Sequence, residues 1–235
     1  MIAMDYNYQF IDWGHDEIEG EEDEDGNHVG NHLGTLSANI FEPKITIGLT
    51  DYWNITMSQI VGSRHMTWEK DIASIHHENS NSKDDQYNAI GGYLGDTELM
   101  LRYLAINDGA GPGKRLFLGG GVSIPSKNTL TSDPFFLSNP SDETYHRHFS
   151  MSQGVYLSMF EIQYFIKRTV NPVFIGGSLL IQQPVSKSDY GFSASRLIDF
   201  SLTAFTDKIN WVKGSVGGNI SFRNTTQAYW NDIPA

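Results

Sequence analysis

Histidine is the residue type here best suited to acid–base or metal chemistry, and its placement is suggestive. His28 and His32, the pair His76-His77, and His146 and His148 all fall in polar stretches. Imidazoles hold zinc or copper when several converge, and connections that meet after folding would bring these together. The spacing itself argues otherwise: there is no helical His-Glu-x-x-His pattern and no compact carboxylate triad. Solvated positions in connections are the simpler reading, with no metal and no cofactor expected. The acidic run Glu19, Glu21, Glu22, Asp23, Glu24 and Asp25 sits in a polar excursion over 12–33. Self-repulsion and solvation account for such runs, attraction of divalent cations is the sharper alternative, and no calcium-loop spacing is present. Gly119-Gly120-Gly121 has neither the lysine of a phosphate loop nor dinucleotide-binding spacing. It reads, like Gly91-Gly92, Gly176-Gly177 and Gly217-Gly218, as room for close packing. With no cysteine, thiolate catalysis, disulfides and cysteine-bound metals are excluded. No serine–histidine–carboxylate or paired-carboxylate pattern emerges, so no catalytic residue is assigned and no enzyme is expected.

A second set lies inside apolar segments. Glu98, Arg102, Glu161, Gln163 and Lys213, with the aromatic Phe117 and Phe205, fall on the polar side of alternating stretches. On a strand, side chains alternate between two faces, so these seven are expected to line one interior. Ion pairing within that interior is one role. The other is a pore lining, with Arg102 and Lys213 attracting anionic groups while Glu98 and Glu161 balance the field. The formal net charge of −12 argues against a nucleic-acid partner, whose binding surface should be basic.

The elements that must position these residues are strands. Ile198, Phe200, Leu202 and Ala204 alternate with Asp199, Ser201 and Thr203. From Trp211 to Phe222, Val212, Val216, Ile220 and Phe222 oppose Lys213, Ser215, Asn219 and Ser221. Leu36, Ala38 and Ile40 oppose Thr35, Ser37 and Asn39. Beyond Pro43, Ile45, Ile47 and Leu49 oppose Thr46 and Gly48, and Trp53, Ile55 and Met57 oppose Asn54, Thr56 and Ser58. Pairs follow at 93–106 with 115–125 and at 150–166 with 172–183. Tyr156, Phe160, Ile162, Tyr164 and Ile166 share one face, although a helix would also place Tyr156, Phe160 and Tyr164 together. With a first strand over 3–11, nine strands are expected. Pro43 lacks a backbone donor and predicts a bulge, or a division of its strand into 33–42 and 44–49.

Connections alternate in length. Compact junctions are expected near Thr50-Asp51, Asn107-Asp108-Gly109, Arg168-Thr169-Val170-Asn171 and Asp207-Lys208, and long polar excursions at 12–33, 64–88, 126–148 and 184–196. Tight turns at one end and long loops at the other are the habit of outer-membrane barrels. No stretch approaches the roughly 20 apolar residues of a spanning helix. The expectation is a single all-β domain over 1–235, an antiparallel transmembrane β-barrel with 12–33 as an acidic external loop. Bacterial barrels usually have an even strand number, so nine predicts a chain incomplete at its ends. The amino terminus also lacks the basic segment and apolar run of a secretory signal.

The segment Gly48-Leu-Thr-Asp-Tyr-Trp-Asn-Ile-Thr-Met57 resembles the outer-membrane barrel family associated with the meta-cleavage pathway of phenol degradation. The resemblance continues through Gly95-Asp-Thr-Glu-Leu-Met-Leu-Arg-Tyr-Leu104, Asp108-Gly-Ala-Gly-Pro-Gly113 and Leu116-Phe-Leu-Gly-Gly-Gly-Val-Ser-Ile-Pro-Ser126, and spans roughly 35–225. It implies a Gram-negative outer-membrane location, with membrane lipids and a small hydrophobic or aromatic solute as partners and passive diffusion as the activity. It implies no catalytic residues and no oligomeric state. Three alternatives stand beside it: a soluble or periplasmic β-rich ligand-binding protein, a structural outer-membrane protein, and an outer-membrane enzyme using residues of the external rim.

Overall fold

A computed structural model describes residues 1–15, 32–68, 93–130, 150–211 and 213–235. Nine strands form one antiparallel sheet in which each neighbour in sequence is a neighbour in space. They are β1 (Ile2–His15), β2 (His32–Gly48), β3 (Trp53–Trp68), β4 (Leu94–Asn107), β5 (Gly113–Ile124), β6 (Leu157–Lys167), β7 (Phe174–Pro184), β9 (Leu197–Phe205) and β10 (Gly217–Thr225). The short β8 (Phe192–Ser193) leaves this order and joins β11 (Tyr229–Trp230) and β12 (Ile233–Pro234) in a small three-stranded sheet. The Asn231-Asp232 turn between β11 and β12 has both residues at positive φ, 45° and 69°, as the tightest hairpin turns require.

The large sheet curls. Gln182 Nε2 of β7 donates to Glu98 Oε1 of β4 at 3.1 Å, although two strands stand between them. On a flat sheet, three steps of about 4.8 Å would separate their backbones by about 14 Å, too far for two such side chains to meet. Their face must be concave. The curl stays open: β1 and β10 are the two edges, and no ladder joins them among the described residues.

Polarity divides the faces. Leu118 and Val122 of β5, Phe160 and Ile162 of β6, and Phe200 and Leu202 of β9 are exposed on the convex side. Their alternation partners on the concave side include Ser123, Glu161, Asp199 and Ser201. The burial that exists is concave as well: Ala38, Met100, Leu157 and Met159 from strands, Met151 and Val155 from a connection, and Trp230 from β11.

Three expectations need correction. Pro43 neither divides β2 nor shifts its register, since Phe41↔Val61 and Lys44↔Ser58 keep one frame across it. Continuity forces the apolar face to change sides. Phe41, Ile45 and Ile47 are convex, whereas Leu36, Ala38 and Ile40 share the concave face with Glu42 and Lys44. The stretch 150–166 is neither helix nor strand throughout: the strand begins at Leu157, and 150–155 turns inward. The strand expected from Trp211 begins at Gly217. Lys213 lies in the preceding connection at φ 56°, beside a bridge between Ile209 and Gly214, and is not on the concave face. The acidic cluster and His28, His76, His77, His146 and His148 lie outside the described residues.

Candidate functional site

The concave face has two unlike halves. At the turn end, adjacent strands carry Phe117, Phe165, Phe174 and Phe205 as a continuous aromatic band. Successive ring centroids are 6.4, 5.3 and 6.0 Å apart. Glycines make the room: a Cβ on Gly176 or Gly217 would run into the Phe165 or Phe205 ring. Above the band, Arg102 pairs with Glu161 across β5. Its Nε and Nη2 address the two carboxylate oxygens, the latter at 3.2 Å, while Nη1 donates to Thr56 Oγ1 at 2.7 Å. Gly119 and Gly121 leave space for this pair and for the Met100 thioether. Every nitrogen of the Arg102 fork thereby has a partner on a nearby strand.

The loop end is closed by chain that folds in from the connections. Two segments, 126–130 and 150–155, run side by side and form a cap, joined by a parallel bridge between Thr129 and Ser152. Ser152 N donates to Asn128 O at 2.9 Å and Met151 N to Asn128 Oδ1 at 3.3 Å. From the sheet, Arg64 Nη1 of β3 donates to Ser150 O at 2.6 Å. Asp96 of β4 accepts Ser126 N at 3.2 Å, with the Ser152 hydroxyl and the Gln153 amide also turned toward it.

A bulge aims Asp96. The β3–β4 register shifts between Gln59↔Thr97 and Val61↔Leu94, so Gly95 and Asp96 together oppose Ile60. Extra residues of this kind bend a strand and redirect side chains. Gln59 stitches the irregularity, donating to Gly95 O at 2.8 Å and Ile60 O at 2.9 Å while accepting from Thr97 at 2.5 Å. Gly95 has no substitute there, because a Cβ would sit 2.6 Å from Met151 O.

Between cap and sheet lies a cavity of about 390 Å³. Polar and apolar side chains are interleaved around it: Glu98, Ser123 and Leu157 lie in one row across β4, β5 and β6, with Gln182 nearby on β7, and Met151, Phe192 and Trp230 border it from the cap and the small sheet. Trp230 is only 3% exposed, its ring 5.2 Å from that of Phe192. The volume is within the range of small-molecule sites, and the lining is more polar than apolar. Among the described residues no three histidine, aspartate or glutamate side chains converge as a metal site.

Of the residues singled out by alternation, Glu98 reaches the cavity. Arg102 and Glu161 pair below it, and Gln163, Phe117 and Phe205 lie nearer the turn end. Asp96, Gln182, Met151 and Trp230 escaped the sequence reading. The first two sit at the ends of recognisable strands; the others belong to segments without period. No protein-family model matches the chain, and no curated protein matches it. The architecture is barrel-like in general, an all-β curled antiparallel sheet, and supports no particular family or pathway.

Proposed function

We propose that the protein is a β-rich binder of small organic molecules, with the cavity under the loop-end cap as its site. The observation that carries this is a space of about 390 Å³ beneath the cap, lined by both polar and apolar side chains. Rigid strands supply Glu98, Gln182 and Leu157, and the cap supplies the roof; binding groups held by connections on a firm scaffold are a common arrangement.

The setting we propose is an outer membrane. A soluble barrel buries apolar side chains inside and shows polar ones to water. Here Phe160, Ile162, Phe200, Leu202, Ile220 and Phe222 are exposed on the convex face, while the concave face carries the ion pairs. An outward apolar band with a polar interior is the pattern of spanning barrels. Trp53 and Tyr103, their tilted rings 4.8 Å apart near the turn end, suit the interfacial level where such rings collect. Passage of small hydrophobic or aromatic solutes is the transport form of this reading, with the cap as its entrance.

A soluble or periplasmic ligand-binding protein is the second reading, and the cavity itself favours it. The cap covers the space at the loop end, which suits holding a molecule better than passing one. Fractionation of expressing cells separates the two. The membrane reading expects the protein to sediment with membranes, to need detergent for release, and to raise solute flux in liposomes. Release by salt alone, with ligand binding retained, would establish the soluble form.

A further inference from the structure

We propose that the cavity selects organic cations, an apolar or aromatic body carrying an ammonium group, with Glu98 as the specificity-determining anchor. The proposal rests on the binding reading above and names the ligand class for that site.

Three charged side chains line the cavity: Arg64, Asp96 and Glu98. The first two are opposite in sign and both serve the cap, Arg64 through Ser150 O and Asp96 through Ser126 N. Their contributions offset one another at the roof. Glu98 is different. Among the described residues its hydrogen-bond partner is the neutral amide of Gln182. The nearest base acting on it, Lys44, is held by Asp5 at 2.9 Å and Glu42 at 3.2 Å, and Glu42 itself repels the Glu98 charge. A half-buried carboxylate with one neutral donor keeps acceptor capacity unused, and Glu42 and Asp96 add repulsion rather than compensation. Charge-assisted N–H···O bonds are roughly twice as strong as neutral ones. Phe192, half-buried and backed by the Trp230 ring, suits the remainder of such a ligand, because it offers aromatic surface to the cavity and π faces attract cations. An anion would meet Glu98, and the one base lining the cavity among the described residues, Arg64, is already holding the cap.

The test is a calorimetric titration of the folded full chain with three probes of one shape: benzylammonium, benzyl alcohol and benzoate. Benzylammonium should bind about tenfold more tightly than benzyl alcohol, a difference of about 1.4 kcal/mol, and benzoate should bind weakest. Glu98→Gln keeps the shape and should bring benzylammonium down to the level of benzyl alcohol, leaving the alcohol unchanged. Trp230→Leu should weaken all three together. Equal binding of ammonium and alcohol, tighter binding of benzoate, or an ammonium preference surviving Glu98→Gln would each overturn the proposal while leaving the cavity as a binding site. If none of the three probes binds, the binding reading fails and the proposal with it. The wild-type order alone decides if Glu98→Gln does not fold.

Discussion

The turn-end and loop-end halves of the concave face solve the same packing problem by different means. At the turn end the strands fill their own interior: four phenylalanine rings from β5, β6, β7 and β9 touch in sequence, seated over glycines. At the loop end, chain from the connections packs against the strands, latched by Arg64 and Asp96. Side chains on a ladder are fixed in place by register. Connections have more freedom, and the cavity survives where the two kinds of filling meet. The difference teaches that the lower half is the scaffold and the upper half the site.

Breaking the scaffold should cost most. Arg102→Ala removes the cation from a pair whose side chains are 19% and 11% exposed, leaving Glu161 uncompensated. Losing one partner of a buried pair costs about 3–5 kcal/mol, measurable as a shift in denaturant midpoint; Arg102→Met with Glu161→Gln should recover most of it. Next is the convex face. Leu202, 50% exposed, replaced by arginine should cost about 2–4 kcal/mol in a bilayer near its midplane, and Thr203→Arg on the concave face less. In a soluble setting Leu202→Arg should stay within about 0.5 kcal/mol. Folding into lipid vesicles compared with refolding in buffer distinguishes these outcomes. At the cap, Gly95→Ala forces a methyl group against Met151 O and should cost about 1–3 kcal/mol, with faster amide exchange confined to 126–130 and 150–155. Smallest is Asp96→Asn. The amide retains an acceptor for Ser126 N but loses the charge, a change of about 1 kcal/mol that should raise exchange at Ser126 and Ser152 and leave the Phe165–Phe174 band untouched.

Much of the scaffold was legible in the sequence. Ile198 to Ala204 and Leu116 to Ile124 alternate so regularly that strand and face follow from period alone, and Glu161 and Arg102 fall on the inner face for the same reason. Legibility ended where period ended. The cap over 126–130 and 150–155 has no repeat, and its burial depends on a bulge at Gly95-Asp96 that alternation cannot reveal. Leu36, Ala38 and Ile40 form an apolar face, but only the unbroken frame across Pro43 places that face inside, under the cap. Lys213 was misplaced because Val216, Ile220 and Phe222 extended a pattern backward into what is a turn.

The inverted polarity of the two faces is the central claim, and the absence of native cysteine makes it directly measurable. Single cysteines at positions 199 to 203, each carrying a nitroxide label in vesicle-reconstituted protein, should alternate. Labels replacing Phe200 and Leu202 should be relaxed mainly by oxygen dissolved in the bilayer, and labels replacing Asp199, Ser201 and Thr203 by a water-soluble reagent. The same water-soluble accessibility at all five positions would contradict the account.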